Sequence, residues 1–252
     1  VSRKADKLYP YLKNKTDKKL DNETKGSIIK NMKALVVHNI GGRAVFGTDN
    51  LLISSFVSVA SVGLYNNYLM FINLFRNLIN TVFNAVEDAF GDLIAHEDNN
   101  KTYDIYKATN LCVFWLNSFW AIGMYICLEP AMEIWLGKNY LMGKTVVAVL
   151  MVSFYVSGMR RAITIVKTKA GIFHEDRFAP LFEAIINLVS SIILVQFLGI
   201  NGIFLGTIIS TLAVPFWTAP YLVYKKVFKR SPWIYFIEYI LYTIVGLITC
   251  VI

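Results

Sequence analysis

Seven stretches of the chain are about twenty residues or longer, rich in Val, Ile, Leu and Phe, and poor in charge. They run from Ala34 to Ser61, Tyr65 to Leu93, Ala108 to Leu128, Thr145 to Val166, Ala179 to Leu198, Ile203 to Tyr224 and Trp233 to Ile252. A hydrocarbon core of about 30 Å takes roughly 20 helical residues to cross, so each stretch is expected to be a membrane-spanning helix. The fold class that follows is all-α integral membrane. Composition agrees, with 56% of the 252 residues apolar and a mean hydropathy of +0.49. The chain opens on Val1 and closes inside the last window, so a piece of a longer protein is expected.

The net charge of +8 would suit nucleic acid, but its placement speaks for a membrane. Arg3 to Lys33, Lys101 to Lys107, Arg160 to Arg177 and Lys225 to Arg230 hold 21 of the 25 Lys and Arg residues. The alternate loops, 61–64, 129–144 and 199–202, hold two. With the first window entering from the cytosol, every basic cluster falls inside, as the positive-inside rule requires. The expected partner is therefore the bilayer, with the N-terminal segment cytosolic, and no nucleic acid. Cys112, Cys127 and Cys250 lie in the windows without metal-ligand spacing and read as small packing residues.

Residues 1–33 read as a basic cytosolic linker. It turns into an interfacial helix where Ile28, Ile29, Met32, Leu35 and Val36 follow helical spacing. Residues 34–230 form the main body, and 231–252 one additional, truncated span. "EPAMEIWLGKNY", Glu129 to Tyr140, is expected as a short interfacial helix, and Pro215 and Pro220 as kinks in the sixth window.

Polar residues inside the windows carry the functional information. In the first, Asn39, Arg43, Gly47, Asn50 and Ser54 stay within an arc of about 80° at about 100° per residue, while Asp49 falls about 120° from Arg43. In the second, Asn73, Asn77, Asn80, Asn84, Glu87 and Gly91 repeat the pattern with Arg76 flanking. Such a face does not belong against lipid and points to a hydrated cavity. A central arginine costs roughly 2.5–3.5 kcal/mol on insertion scales, so Arg43 and Arg76 each need a carboxylate partner or an anionic ligand. Guanidinium groups match phosphate in a bidentate way and keep their charge, which makes both candidates for a pyrophosphate. Asp49, Glu87 and Glu183 are the candidates for ion pairing or coupling, with Arg160 or Arg161 a natural partner for Glu183. Asn110, Asn117 and the hydroxyls Thr207, Ser210 and Thr211 read as interhelical contacts. No nucleophile elbow, acidic or His-rich metal cluster or phosphate loop emerges, so no enzyme, metal or cofactor is expected.

The segments "GTDNLLISSFVSVASVGLYNNYLMFINLFRNLI" and "AGIFHEDRFAPLFEAIINLVSSIILVQFLGINGIFLGTIIST" resemble a known family. This is the polysaccharide flippases of the multidrug/oligosaccharidyl-lipid/polysaccharide exporter superfamily. The resemblance runs from about Lys30 to Arg230 and rests chiefly on Thr48 to Asn50, Gly63 to Tyr65, the "AGIFHEDRFAP" loop and "GINGIFLGTIIS". It implies a transporter of two six-helix bundles facing each other in a V. This chain would supply the second bundle plus one following helix, and the first bundle would be its missing partner. The implied substrate is a polyprenyl-diphosphate-linked glycan moved by alternating access, with Arg43 and Arg76 on its pyrophosphate and the asparagine stripe on its sugars. Other polysaccharide-assembly proteins are implied partners. Two alternatives stay open: a cation-coupled multidrug antiporter of the same superfamily, and a membrane enzyme of glycan assembly.

Overall fold

A computed structural model describes residues 21–251; the side chains of 22–23, 27, 38–46 and 251 lie outside the described residues. Nine α-helices are described: α1 Asn22–Leu52, α2 Val59–His96, α3 Asn99–Leu136, α4 Lys144–Met159, α5 Arg161–Lys169, α6 Ala179–Leu198, α7 Ile200–Ala213, α8 Pro215–Val223 and α9 Trp233–Val251. No strand occurs among the described residues. Among the described residues six helical stretches are long and apolar enough to cross a membrane: α2, α3, the α4–α5 pair, α6, the run from α7 to Phe228, and α9. Helix α1, where the first window was expected to span, is not among the six.

The breaks between helices follow local chemistry. The Asp21 side chain caps α1 by accepting from the Thr24 N–H at 3.0 Å. After α1 the chain passes through a π-helical turn, Ile53–Val57, into an extended Ser58 with φ −172° and ψ 158°. The Ser58 hydroxyl accepts from the Ser61 N–H at 3.0 Å and so begins α2. The boundary expected between Ser61 and Tyr65 therefore lies earlier, because a serine that can cap sits there. Helices α2 and α3 each hold 38 residues, about 57 Å at 1.5 Å per residue, and so outreach a bilayer core at one or both ends.

Three expectations change in detail. Glu129 to Leu136 continues α3 straight through Pro130, and only Lys138–Tyr140 forms a separate 3₁₀ turn after Gly137 at φ 94°. Tyr68 fixes that loop, its hydroxyl accepting from the Met142 N–H at 3.1 Å. The sixth window breaks at Val214, with Pro215 opening α8, while Pro220 sits inside α8. Cys112, Cys127 and Cys250 are exposed, so they do not serve as buried packing residues.

The tightest helix pair is α6 against α7, joined through Gly199 at φ 56°. A Cβ on Gly202 would lie 2.6 Å from the Val195 nitrogen, and one on Gly206 2.8 Å from the Ser191 nitrogen. Only hydrogen fits there, and small residues are what let two membrane helices approach this closely. Polar bonds cross the same seam. The Asn187 amide donates to Thr207 at 2.9 Å and the Ser191 hydroxyl to the Ile203 carbonyl at 3.1 Å. Thr48 of α1 donates to Asn187 Oδ1 at 3.3 Å, which ties α1 to the pair.

Candidate functional site

Midway along α2, Arg76 stands beside a cavity of about 350 Å³ bounded by α2, α3, α4, α5, α6 and α7. Arg76, Arg160 and Arg161 line it, together with one carboxylate, Glu183, and the polar residues Asn80, Asn117, Ser157, Thr164 and Thr211. Phe154 and Ile79 supply apolar wall.

The three arginines differ in how their charge is answered. Arg160 meets Glu183 at 3.4 Å, and Thr211 donates to the same carboxylate oxygen at 3.3 Å. Arg161 meets Glu87 at 3.0 Å and donates to Asn84 Oδ1 at 2.5 Å. Arg76 donates to Asn73 Oδ1 at 3.1 Å and lies 6.0 Å from the centre of the Phe154 ring, close enough for a weak cation–π contact. Among the described residues no carboxylate comes within 4.0 Å of Arg76. From Arg76 to Glu87, which holds Arg161, is eleven residues, about 16 Å along α2.

The backbone contributes as well. The window expected as one span, Thr145 to Val166, is interrupted at Arg160, where α4 ends and α5 begins. No side chain caps α5, which begins at Arg161 on the cavity wall. The positive end of a helix dipole favours an anion. Gly158, just before this break, makes room for the buried amide of Asn117 from α3, with which a Cβ there would collide.

The candidates named from the sequence separate into groups. Arg76 and Asn80 line the cavity, and Glu183, Glu87 and Asn84 hold its other arginines. Asn73 orients Arg76 but is itself exposed, and Asn77 is exposed away from the cavity lining. Asp49 is 4% exposed; its Oδ1, and Asn50 Oδ1 beside it, are buried without a hydrogen-bond partner among the described residues. Asp49 makes no ion pair among the described residues, and Arg43, one of its expected partners, has its side chain outside them. The side chains of Asn39 and Arg43 lie outside the described residues. Sequence reasoning assigned Arg160 and Arg161 to a cytosolic basic cluster and missed their place in the cavity wall. The signal was their position inside the Thr145 to Val166 window, shortly after Gly158.

Replacing Glu183 with Gln keeps a hydrogen-bonding shape but leaves Arg160 without its counter-charge. We expect a loss of about 1–3 kcal/mol in unfolding free energy. Thermal unfolding in nanodiscs measures it, and an unchanged midpoint would mean that water already screens the pair.

A second group of ion pairs lies at the end of the helices where the basic loops gather. Lys169 reaches Asp88 at 2.9 Å and Glu87 at 3.9 Å, Lys167 pairs with Asp176, and Lys226 pairs with Glu175. Burial alone would push the Glu175 carboxyl up. The hydrogen bond from Lys226, the Glu175 backbone N–H and the nearby His174 outweigh it and hold the group below its usual value. A depressed carboxyl stabilises the fold above its unfolded value and loses that contribution as the pH falls through its folded one. The link between loop 170–178 and Lys226 is therefore expected to loosen only in acid. Amide hydrogen exchange of that loop at falling pH tests this, and Glu175→Gln should show the loosened exchange already at neutral pH.

No family model, curated protein or solved structure matches the chain.

Proposed function

We propose that this chain is the cavity-bearing second bundle of a flippase for polyprenyl-diphosphate-linked glycans in the cytoplasmic membrane. The observation that carries the reading is Arg76, a guanidinium with no carboxylate beside it among the described residues, in a cavity that also holds Arg160 and Arg161. An uncompensated cation inside a membrane helix is costly unless an anion or water answers it. A pyrophosphate offers several oxygens to a planar fork of donors. Asn80, Asn117, Ser157 and Thr164 in the same wall can both donate to and accept from sugar hydroxyls.

In this reading α1 is the seventh spanning helix, the basic loops face the cytosol, and a further bundle closes the V opposite the cavity. The exposed polar face of α2, with Asn73, Asn77 and Asn84, is what such a partner and the water between the two would cover. Rocking of the bundles exchanges the cavity between the two sides of the membrane.

The direct test is translocation in proteoliposomes of the protein that contains this chain. A fluorescent polyprenyl-diphosphate oligosaccharide should cross, and a cationic dye should not accumulate. Dye transport without lipid movement would favour the antiporter alternative, and elongation of the glycan would favour an enzyme.

A further inference from the structure

Four buried tyrosine rings pack together outside the residues that line the cavity just described. Tyr106 of α3, Tyr224 after α8, and Tyr235 and Tyr239 of α9 are 0%, 0%, 1% and 9% exposed, and the hydroxyl of each is buried without a hydrogen bond of good geometry among the described residues, Tyr224 being turned toward Tyr103 and Tyr106. The rings form a continuous series, with centres 6.1 Å apart from Tyr106 to Tyr224, 6.3 Å from Tyr224 to Tyr235, and 6.1 Å from Tyr235 to Tyr239. Glu238 stands in the same helix as the last two, and its Oε2 is likewise buried and unpartnered. Of the thirteen such orphaned side-chain atoms among the described residues, five belong to this one cluster. Folded proteins rarely bury even single polar atoms unsatisfied, so five together mark a place built to hold something that hydrogen-bonds.

The charges around it narrow what that is. Glu238 feels Lys107 and Tyr103 from α3, Tyr106 and Tyr224 from the facing helices, and Tyr242 one turn further along α9. Arg230 lies over the outer ring, Tyr103, at 4.2 Å, and Arg160 reaches the cluster from the side of Tyr235 and Tyr239. Neither Lys107 nor any other base forms an ion pair with Glu238 among the described residues. A phenol can donate to a charged carboxylate and accept from a neutral one, so this lining accommodates both protonation states of a carboxyl. Glu238 also lies only five residues into α9, about 7.5 Å from its start, within reach of water at the basic end of the bundle.

We propose that Glu238 and the surrounding tyrosine hydroxyls form a proton-binding site on the last helix, separate from the arginine cavity. Loading forms one O–H bond on the Glu238 carboxyl with a proton taken from water. Unloading breaks that bond and returns the proton to water, and the phenols keep their own protons throughout. In the loaded state the carboxyl donates to a phenol oxygen. In the unloaded state it accepts from the phenols while Lys107 faces its charge. The site goes beyond the glycan-lipid reading and stands whether or not the cavity takes such a substrate.

Infrared difference spectroscopy of the protein in nanodiscs, stepped in pH, reads the carboxyl directly. The spectrum should contain the carbonyl stretch of a protonated carboxylic acid that titrates, and Glu238→Gln should lose it together with one bound proton. Tyr106→Phe and Tyr224→Phe remove a hydroxyl each while keeping the ring packing, and both should shift the same band because a hydrogen-bond partner is gone. A Glu238→Gln spectrum that superimposes on the parent overturns the proposal. So does a band that the two Tyr→Phe variants leave in place, or one that follows sodium at fixed pH and ignores protons.

Discussion

Replacing Arg76 with Ala is expected to weaken binding of a polyprenyl diphosphate by about ten- to a hundred-fold, as for loss of one or two charge-assisted hydrogen bonds. Titration of the lipid into nanodiscs carrying the protein measures it. Arg76→Lys should recover only part of the affinity, because a point charge cannot reproduce a planar fork of donors. The variant is expected to fold at least as well as the parent. Arg76 makes only the bond to Asn73 and the contact with Phe154, and removing an unanswered cation relieves a cost. Undiminished affinity in a folded Arg76→Ala protein would remove the central support for a phosphate-binding cavity.

The largest loss of stability is expected at the α6–α7 seam. Gly206→Val would drive a branched side chain against the Ser191 backbone, whose nitrogen and Cα lie 2.8 and 2.9 Å from a Cβ position. Gly202→Leu would meet the Leu194 and Val195 backbone in the same way. Backbone cannot rotate out of the path as a side chain can, so the helices must separate and the bonds from Asn187 and Ser191 break with them. A cost of about 3 kcal/mol, the upper part of the overpacking range, is expected for each. Gly63→Ala is the control. Nothing lies within 4 Å of a Cβ at Gly63, and alanine gains up to about 1 kcal/mol in helix propensity. Thermal unfolding of the three variants side by side should place both seam variants well below Gly63→Ala. A Gly206→Val protein as stable as the parent would show that the seam can spread without loss.

Why some of this was legible in the sequence and some was not is a matter of range. Helical phase is a local property, so the polar side of α2 could be read directly, and it led to Arg76 and Asn80. Phase cannot say which neighbour stands opposite. Asn73, Asn77 and Asn80 share one stripe, yet only Asn80 lines the cavity, because the facing helices cover one edge of the stripe and leave the other exposed. Arg160 and Arg161 were hidden for a similar reason. Counting basic residues near a window's end places them in the cytosol, whereas Glu183 and Glu87, from helices distant in sequence, draw them inward across the break between α4 and α5. "GINGIFLGTIIS", which entered sequence reasoning only through the resemblance, also holds a packing signal that such reasoning missed: Gly202, Gly206 and Ser210 lie about one turn apart, and both glycines touch the facing backbone. Pro130 shows the limit of residue-by-residue reading, since α3 runs on past it to Leu136.

The uneven polarity of the helices bears finally on how the protein is made. Of the six stretches able to cross a membrane, α2 has the lowest mean hydropathy, 1.2, and α6 the highest, 2.0. A helix carrying Arg76 and six asparagines partitions weakly from the translocon into lipid, whereas α3, at 1.7, partitions well. Biogenesis therefore favours α2 and α3 leaving the translocon together as a hairpin, with the second helix retaining the first. The polarity that equips α2 for its place in the finished bundle makes its insertion depend on the helix synthesised after it.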